Sequence, residues 1–205
     1  MPVRVFFENP TVALMAHTIE AIQGARDAAE FNADAVSAAL WVAGTQLRKE
    51  VDLDPTIAVN TSLPAGNALR PAAILLTGAT GFLGAFLLRE LLERTEATIY
   101  CHCRATDSAG ALERLRGNVA TYYPWPESQA ARIVPVVGDL GKPGLGMEPA
   151  LWQRLCAEID LVVHNGAVTN FIDPYAKLKA ANVLGTREIL RFCCEGKTKP
   201  LHHVS

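Results

Sequence analysis

Residues 72–92 read AAILLTGATGFLGAFLLRELL: an apolar run, three glycines three residues apart, then an amphipathic run. No other stretch limits the possible folds so strongly, because it forces a buried strand into a tight turn and straight on into a helix. Ala73–Leu76 are predicted to form the strand. Gly78 permits the turn, Gly81 lets the main chain approach a bulky anion, and Gly84 lets the helix pack closely on the strand. The free N–H groups at the helix start, around Phe82 and Leu83, would face that anion with the positive end of the helix dipole. Thr77 and Thr80 belong to the same candidate turn. The pattern builds a dinucleotide pyrophosphate site out of backbone atoms.

From residue 72 onward strands and helices alternate, which predicts an α/β fold with a doubly wound parallel sheet of the Rossmann type. Strands are expected at Thr98–Cys103, Arg132–Val137 and Leu161–His164, with a fifth beginning at Leu201–Ser205. Helices are expected near 109–119 and 148–157, and a single long one over 175–194. Upstream, residues 5–22 have helical spacing, with Val12, Met15, Ile19 and Ile22 on one apolar face. Residues 28–49 repeat that spacing, Asp52–Pro55 stops it, and residues 60–71 carry turn formers. The expected organisation is an N-terminal helical element over 1–22, a linker with one helix over 23–71, and the sheet domain over 72–205. An ordinary helical extension is the alternative for the upstream part.

The end of the second strand should choose the coenzyme. An acidic residue there would bind the adenosine ribose hydroxyls, but this chain has Arg104, whose guanidinium suits a 2′-phosphate and so favours NADPH. Arg114, on the next helix, is placed to reinforce that pocket. Arg116 reads better as part of a solvated face. At the end of the third strand, Asp139 would accept from the adenine amino group while Leu140 packs on the ring; the alternative is a loop aspartate capping amides. Asn165, Gly166 and Ala167 follow the fourth strand, at the point where strand order reverses and a dinucleotide crosses the sheet edge. His164 just before them reads either as a general base or as a hydrogen-bonded structural residue. Asn182 is unfavourable in a helix interior, so a role facing the site is expected of it.

The chain has 205 residues, with 19 basic and 21 acidic side chains and a net charge of −2, which argues against a general nucleic-acid binder. No apolar stretch of about 18 residues suggests a membrane span. The opening Met1-Pro2-Val3-Arg4 lacks a signal-peptide core, so a cytoplasmic location is expected. Among the five cysteines, Cys101 and Cys103 flank His102. On a strand, however, the two thiols share one face and the imidazole takes the other. No metal site is expected; the thiols read as reduced core residues.

Taken together, LLTGATGFLGAFLLRELL (75–92), Cys103-Arg104-Ala105, Gly138-Asp139-Leu140, VVHNGAVTNFIDPYAKLKAANVLGT (162–186) and His203-Val204-Ser205 resemble the extended short-chain dehydrogenase/reductases. Within them they are most similar to the thioester reductase domains of nonribosomal peptide synthetases and carboxylic acid reductases. Residues 6–22 resemble the last helix of a carrier domain. The resemblance implies NADPH-dependent release of a carrier-bound acyl or peptidyl thioester as aldehyde or alcohol, the partner being the phosphopantetheine arm of a carrier domain. It also implies a front portion of such a domain, with the sheet incomplete at its C-terminal side. The catalytic Tyr-x-x-x-Lys is expected beyond residue 205, so no catalytic residue is assigned within the chain. Tyr175 and Lys179 have the spacing but precede the fifth strand, and Ser205 falls near the position of the family's catalytic hydroxyl. His102 stands where the family usually has an apolar residue and is expected to disturb strand packing. Two other readings stay open: a non-catalytic NAD(P)-binding regulator, and another extended-family enzyme such as an epimerase.

Overall fold

The computed structural model describes residue 50, residues 52–170 and residues 173–204. The chain divides into two compact units, Met1–Asp54 and Pro55–Ser205. The helices expected over 5–22 and 28–49, and with them the expected carrier-domain tail, lie outside the described residues, as does Ser205. The elements below all belong to the second unit.

Its centre is β1 (Ala73–Thr77), buried along its whole length. Its side chains alternate between two layers. Ile74 and Leu76 face one core, with Leu88 and Leu92 of α1 (Phe82–Arg94) and Leu115 of α2 (Ser108–Ala120). Ala73 and Leu75 face the other, with Leu155 of α3 (Pro149–Glu158) and Ile189 and Phe192 of α5 (Gly185–Cys194). Covering both faces explains why the strand reads as an unbroken apolar run. Each fully buried Leu or Ile here contributes roughly 1.5–3 kcal/mol.

β2 (Thr98–Cys103), β3 (Ile133–Val137), β4 (Leu161–His164) and β5 (Leu201–His203) complete a parallel sheet in the order β3-β2-β1-β4-β5. Chain order reverses between β1 and β4, so the turns after these two strands sit side by side at the C-terminal edge. The register sets His102, Thr77, His164 and His203 in one row across β2, β1, β4 and β5. This row ends the face that packs on α3 and α5, and it makes the sheet edge polar.

The expected continuous helix over 175–194 is interrupted. A short α4 (Tyr175–Lys179) leads into a π-helical turn over Ala180–Leu184, closed by the Gly185 amide donating to the Ala180 carbonyl, before α5 begins. Two contacts account for the extra residue. Asn182 is held sideways by the main chain of Val168, and Gly185 lies so close to Leu140 that a Cβ would come within 2.6 Å of its carbonyl oxygen. The loop over residues 55–72 is stitched to the sheet. The Gly66 amide donates to Thr198 O at 2.7 Å, Thr198 N–H donates to Pro64 O at 2.8 Å, and Ala72 N–H donates to Asp160 Oδ2 at 2.8 Å.

Candidate functional site

The adjoining turns enclose a cavity of about 410 Å3 at the C-terminal edge of β1, β2 and β4. Its floor is the glycine turn. Gly78 has φ +72°, and a Cβ there would meet the Asn165 carbonyl and Gly166 Cα at 2.8 Å. Only a residue without a side chain lets the two switch-point turns touch. Gly84 serves packing, since a Cβ would come within 2.0 Å of Gly78 O. Gly81 differs: a Cβ would find a single protein atom within 4 Å, Gly78 O at 3.4 Å, and the residue lines the cavity. A side chain there would fill the cavity, the space an anion needs.

Helix α1 starts at this point with Gly81 as its N-cap, with no side-chain cap and no acidic residue in its first turn. The first intrahelical bond is Ala85 N–H to Gly81 O at 3.1 Å. The amides of Phe82, Leu83 and Gly84 therefore have no acceptor within the helix. This is a cradle complementary to a pyrophosphate. Asn118 of α2 braces it from behind, its Nδ2 donating to Ala79 O at 3.2 Å and Gly81 O at 3.1 Å. Sequence reasoning missed Asn118; the one available signal was an asparagine inside a helix, the same signal that singled out Asn182.

The other expected residues converge on the cavity in large part. Thr80, Phe82, Leu83, Arg104, Arg114, Asp139, Leu140, Asn165, Gly166 and Ala167 line it. Arg104 is exposed at the end of β2, its side chain bonded to no described residue, while the Arg114 guanidinium donates to the Arg104 carbonyl. Arg116 instead lies over the Trp125 ring at 5.2 Å. The Asp139 carboxylate accepts from the Gly141 amide at 2.9 Å, so the capping arrangement is present at that residue.

Thr77, Gly84 and Asn182 do not line the cavity, but they shape it. Thr77 Oγ1 accepts from the Gly166 amide at 2.9 Å, and its hydroxyl donates to Nδ1 of the neutral His164 ring at 2.7 Å. The Thr186 hydroxyl sets that direction, since it is committed to the Asn182 carbonyl and leaves its oxygen to accept from Nε2–H. His164 Nε2–H then donates to Thr186 Oγ1 at 3.2 Å, and Thr186 donates to Asn182 O at 2.7 Å. Asn182 closes the chain on Val168, donating to its carbonyl at 3.0 Å and accepting from its amide at 2.8 Å. Both ring nitrogens of His164 are thus engaged, the structural alternative of the two sequence readings. Burial holds its pKa down at about 4, with His203 adding to the effect.

His102, Val168 and Thr169 are cavity residues that the sequence did not suggest. The disturbance expected at His102 is absent. Its ring fits under Gly138, where a Cβ would lie 2.3 Å from Nε2, and that nitrogen donates to Leu145 O at 2.9 Å. Cys101 and Cys103 are buried in the opposite core, and burial pushes both thiols up. Among the described residues no group of three or more His, Cys, Asp or Glu is placed to hold a metal, and no helix is long and apolar enough to cross a membrane.

Residues 76–205 match the family described as "Male sterility protein", a family of NAD-binding domains. The chain belongs to this family. Among curated proteins it is 47% identical over 205 residues to a linear gramicidin synthase of Brevibacillus parabrevis, covering 100% of this chain and 4% of that protein. It is 44% identical over 134 residues to the large chain of the L-2-aminoadipate reductase of Penicillium chrysogenum, covering 64% of this chain and 10% of that one. The terminal R domain of the myxalamid PKS-NRPS pathway superposes with a TM-score of 0.75 at 50% identity, over 78% of this chain and 41% of that domain. The reductase domain of a nonribosomal peptide synthetase from Mycobacterium tuberculosis superposes with a TM-score of 0.63 at 36% identity, over 75% of this chain and 37% of that one. The chain therefore spans well under half the length of each relative. These likenesses agree with the Rossmann-type sheet and with the family resemblance read from residues 75–205.

Proposed function

We propose that this chain holds NADPH for the reductive release of a carrier-bound acyl or peptidyl thioester as an aldehyde or alcohol. The observation that carries the proposal is the uncapped start of α1 over an open glycine turn, with Arg104 at the next strand end. The amides of Phe82, Leu83 and Gly84 would bind the pyrophosphate. The Arg104 guanidinium would pair with the 2′-phosphate, and Arg114 would hold the Arg104 main chain in place. Gly166 and Ala167 would carry the nicotinamide ribose past the junction of β1 and β4. When bound, the coenzyme supplies the hydride. The carrier partner is supported by the synthetase relatives and by a solved thiolation-reductase di-domain, which superposes with a TM-score of 0.56 at 29% identity.

Tyr175 and Lys179 stand on α4, ahead of β5, so the proton-donating Tyr/Lys pair is not assigned to them. Titration of the protein with NADPH and NADH, followed by coenzyme fluorescence, tests the reading. NADPH should bind more tightly, and R104D should abolish that preference. Equal affinity for the two coenzymes, or no binding of either, would overturn it.

A further inference from the structure

His102 is 3% exposed and lines the cavity, yet only one of its ring nitrogens has a partner among the described residues. The acceptor facing Nε2 is a carbonyl, so Nε2 must carry the proton. Burial in the sheet edge disfavours the imidazolium, lowering the pKa and leaving a neutral ring. Nδ1 is then a bare lone pair, and no described residue donates to it. A bare ring nitrogen on a residue that lines the cavity can accept from a donor on whatever occupies it. The protein holds the ring firmly in place. Gly138 leaves room for it, and Leu145 O receives it. The same carbonyl accepts from the Asp139 amide at 2.7 Å. Asp139, the residue expected to meet the adenine amino group, already spends Oδ1 on Gly141. The end of β2 thus offers a second acceptor beside one that is partly occupied.

We propose that His102 is a coenzyme-contacting residue whose Nδ1 accepts a hydrogen bond from a donor on the adenosine half of the dinucleotide. This rests on the reading that NADPH occupies the cavity. Two groups on that half have the right chemistry, the adenine amino group and a ribose hydroxyl.

The two nitrogens can be separated by substitution. H102Q keeps a donor for Leu145 O and has no acceptor in place of Nδ1; H102N keeps an acceptor there and loses the donor. NADPH should bind H102Q about 3- to 10-fold more weakly than wild type. H102N should retain most of the affinity while unfolding at lower denaturant. The hypoxanthine analogue of NADPH, which lacks the amino group, distinguishes the donors. If the amino group is the donor, wild type binds the analogue as weakly as H102Q does. If a ribose hydroxyl is the donor, H102Q is weaker for both coenzymes. In 15N-histidine-labelled wild type, NADPH should shift the Nδ1 resonance of the Nε2–H tautomer. Undiminished affinity in H102Q, or an unmoved Nδ1 resonance in NADPH-saturated protein, would overturn the proposal and leave the coenzyme reading intact. Failure of wild type to bind NADPH at all would overturn both.

Discussion

Replacing Thr77 by valine removes one hydroxyl and nearly preserves shape, so it isolates the polar join between β1 and β4. Thr77 is fully buried. In the native protein its oxygen accepts from the Gly166 amide and its proton goes to His164 Nδ1. In T77V both partners stay buried, because Gly166 is packed against Gly78 and His164 is 1% exposed. Each stranded group costs about 1–3 kcal/mol, so T77V should lose about 2–6 kcal/mol. That is a large share of the roughly 5–15 kcal/mol that holds a domain together. T77S keeps the hydroxyl and gives up a methyl, which costs about 1 kcal/mol. Urea unfolding followed by the fluorescence of Trp125 and Trp152 measures both variants, with unchanged slopes showing that the states compared are the same. If T77V proves no less stable than T77S, packing rather than hydrogen bonding joins the two strands, and the proton order assigned along Thr77, His164 and Thr186 is wrong.

Two further outcomes follow from neighbouring residues. N118A removes two hydrogen bonds from the glycine turn and should cost about 1–2 kcal/mol of stability together with about tenfold in NADPH affinity, with N118D worse because it sets a carboxylate against two carbonyls; titration and denaturation of the same samples check both, and an unaltered NADPH affinity would remove Asn118 from the site. Stability should also fall with acid. His164 has a folded pKa of about 4 against about 6.5 when unfolded, so between these values the unfolded chain takes up a proton that the native ring refuses. The stabilisation is whole above pH 6.5 and is lost as pH drops toward 4. The loss should reach about 2 kcal/mol between pH 7.5 and 5, and His102, shifted in the same direction, adds to it. Unfolding midpoints that do not move over that range would contradict the buried, neutral state of these rings.

What could be read in the sequence depended on how far apart the cooperating residues lie. β1 and α1 were legible because an apolar run, three glycines and a helical stripe are all local signals, and β2, β3 and β4 because each is a short, mainly apolar run alternating with helical segments. The turn after β4 could be placed because a doubly wound order leaves it one position. The interrupted helix could not: its π turn comes from Asn182 bonding Val168, 14 residues away, and from the approach of Gly185 to Leu140. His102 looked misplaced because its partner carbonyl is 43 residues downstream, in a loop with no regular pattern. The partners of Asn118 were hidden for the same reason, lying 37 and 39 residues back.

That loop contains Gly144, Leu145 and Gly146 at φ +58°, +55° and +65°, three successive residues in a mirror-image turn. Leu145 has no comfortable substitute. Glycine or asparagine would relax the backbone but vacate a side chain that is completely enclosed, and any larger residue would keep the strain and add crowding. Its carbonyl answers to β2 through His102 and to the end of β3 through Asp139, while Glu188 of α5 grips the amide of Gly144. Turning over that one peptide would release two donors together. One carbonyl thus fastens the ends of β2 and β3 to the same loop, so a substitution that displaced Leu145 would loosen both strand ends at once.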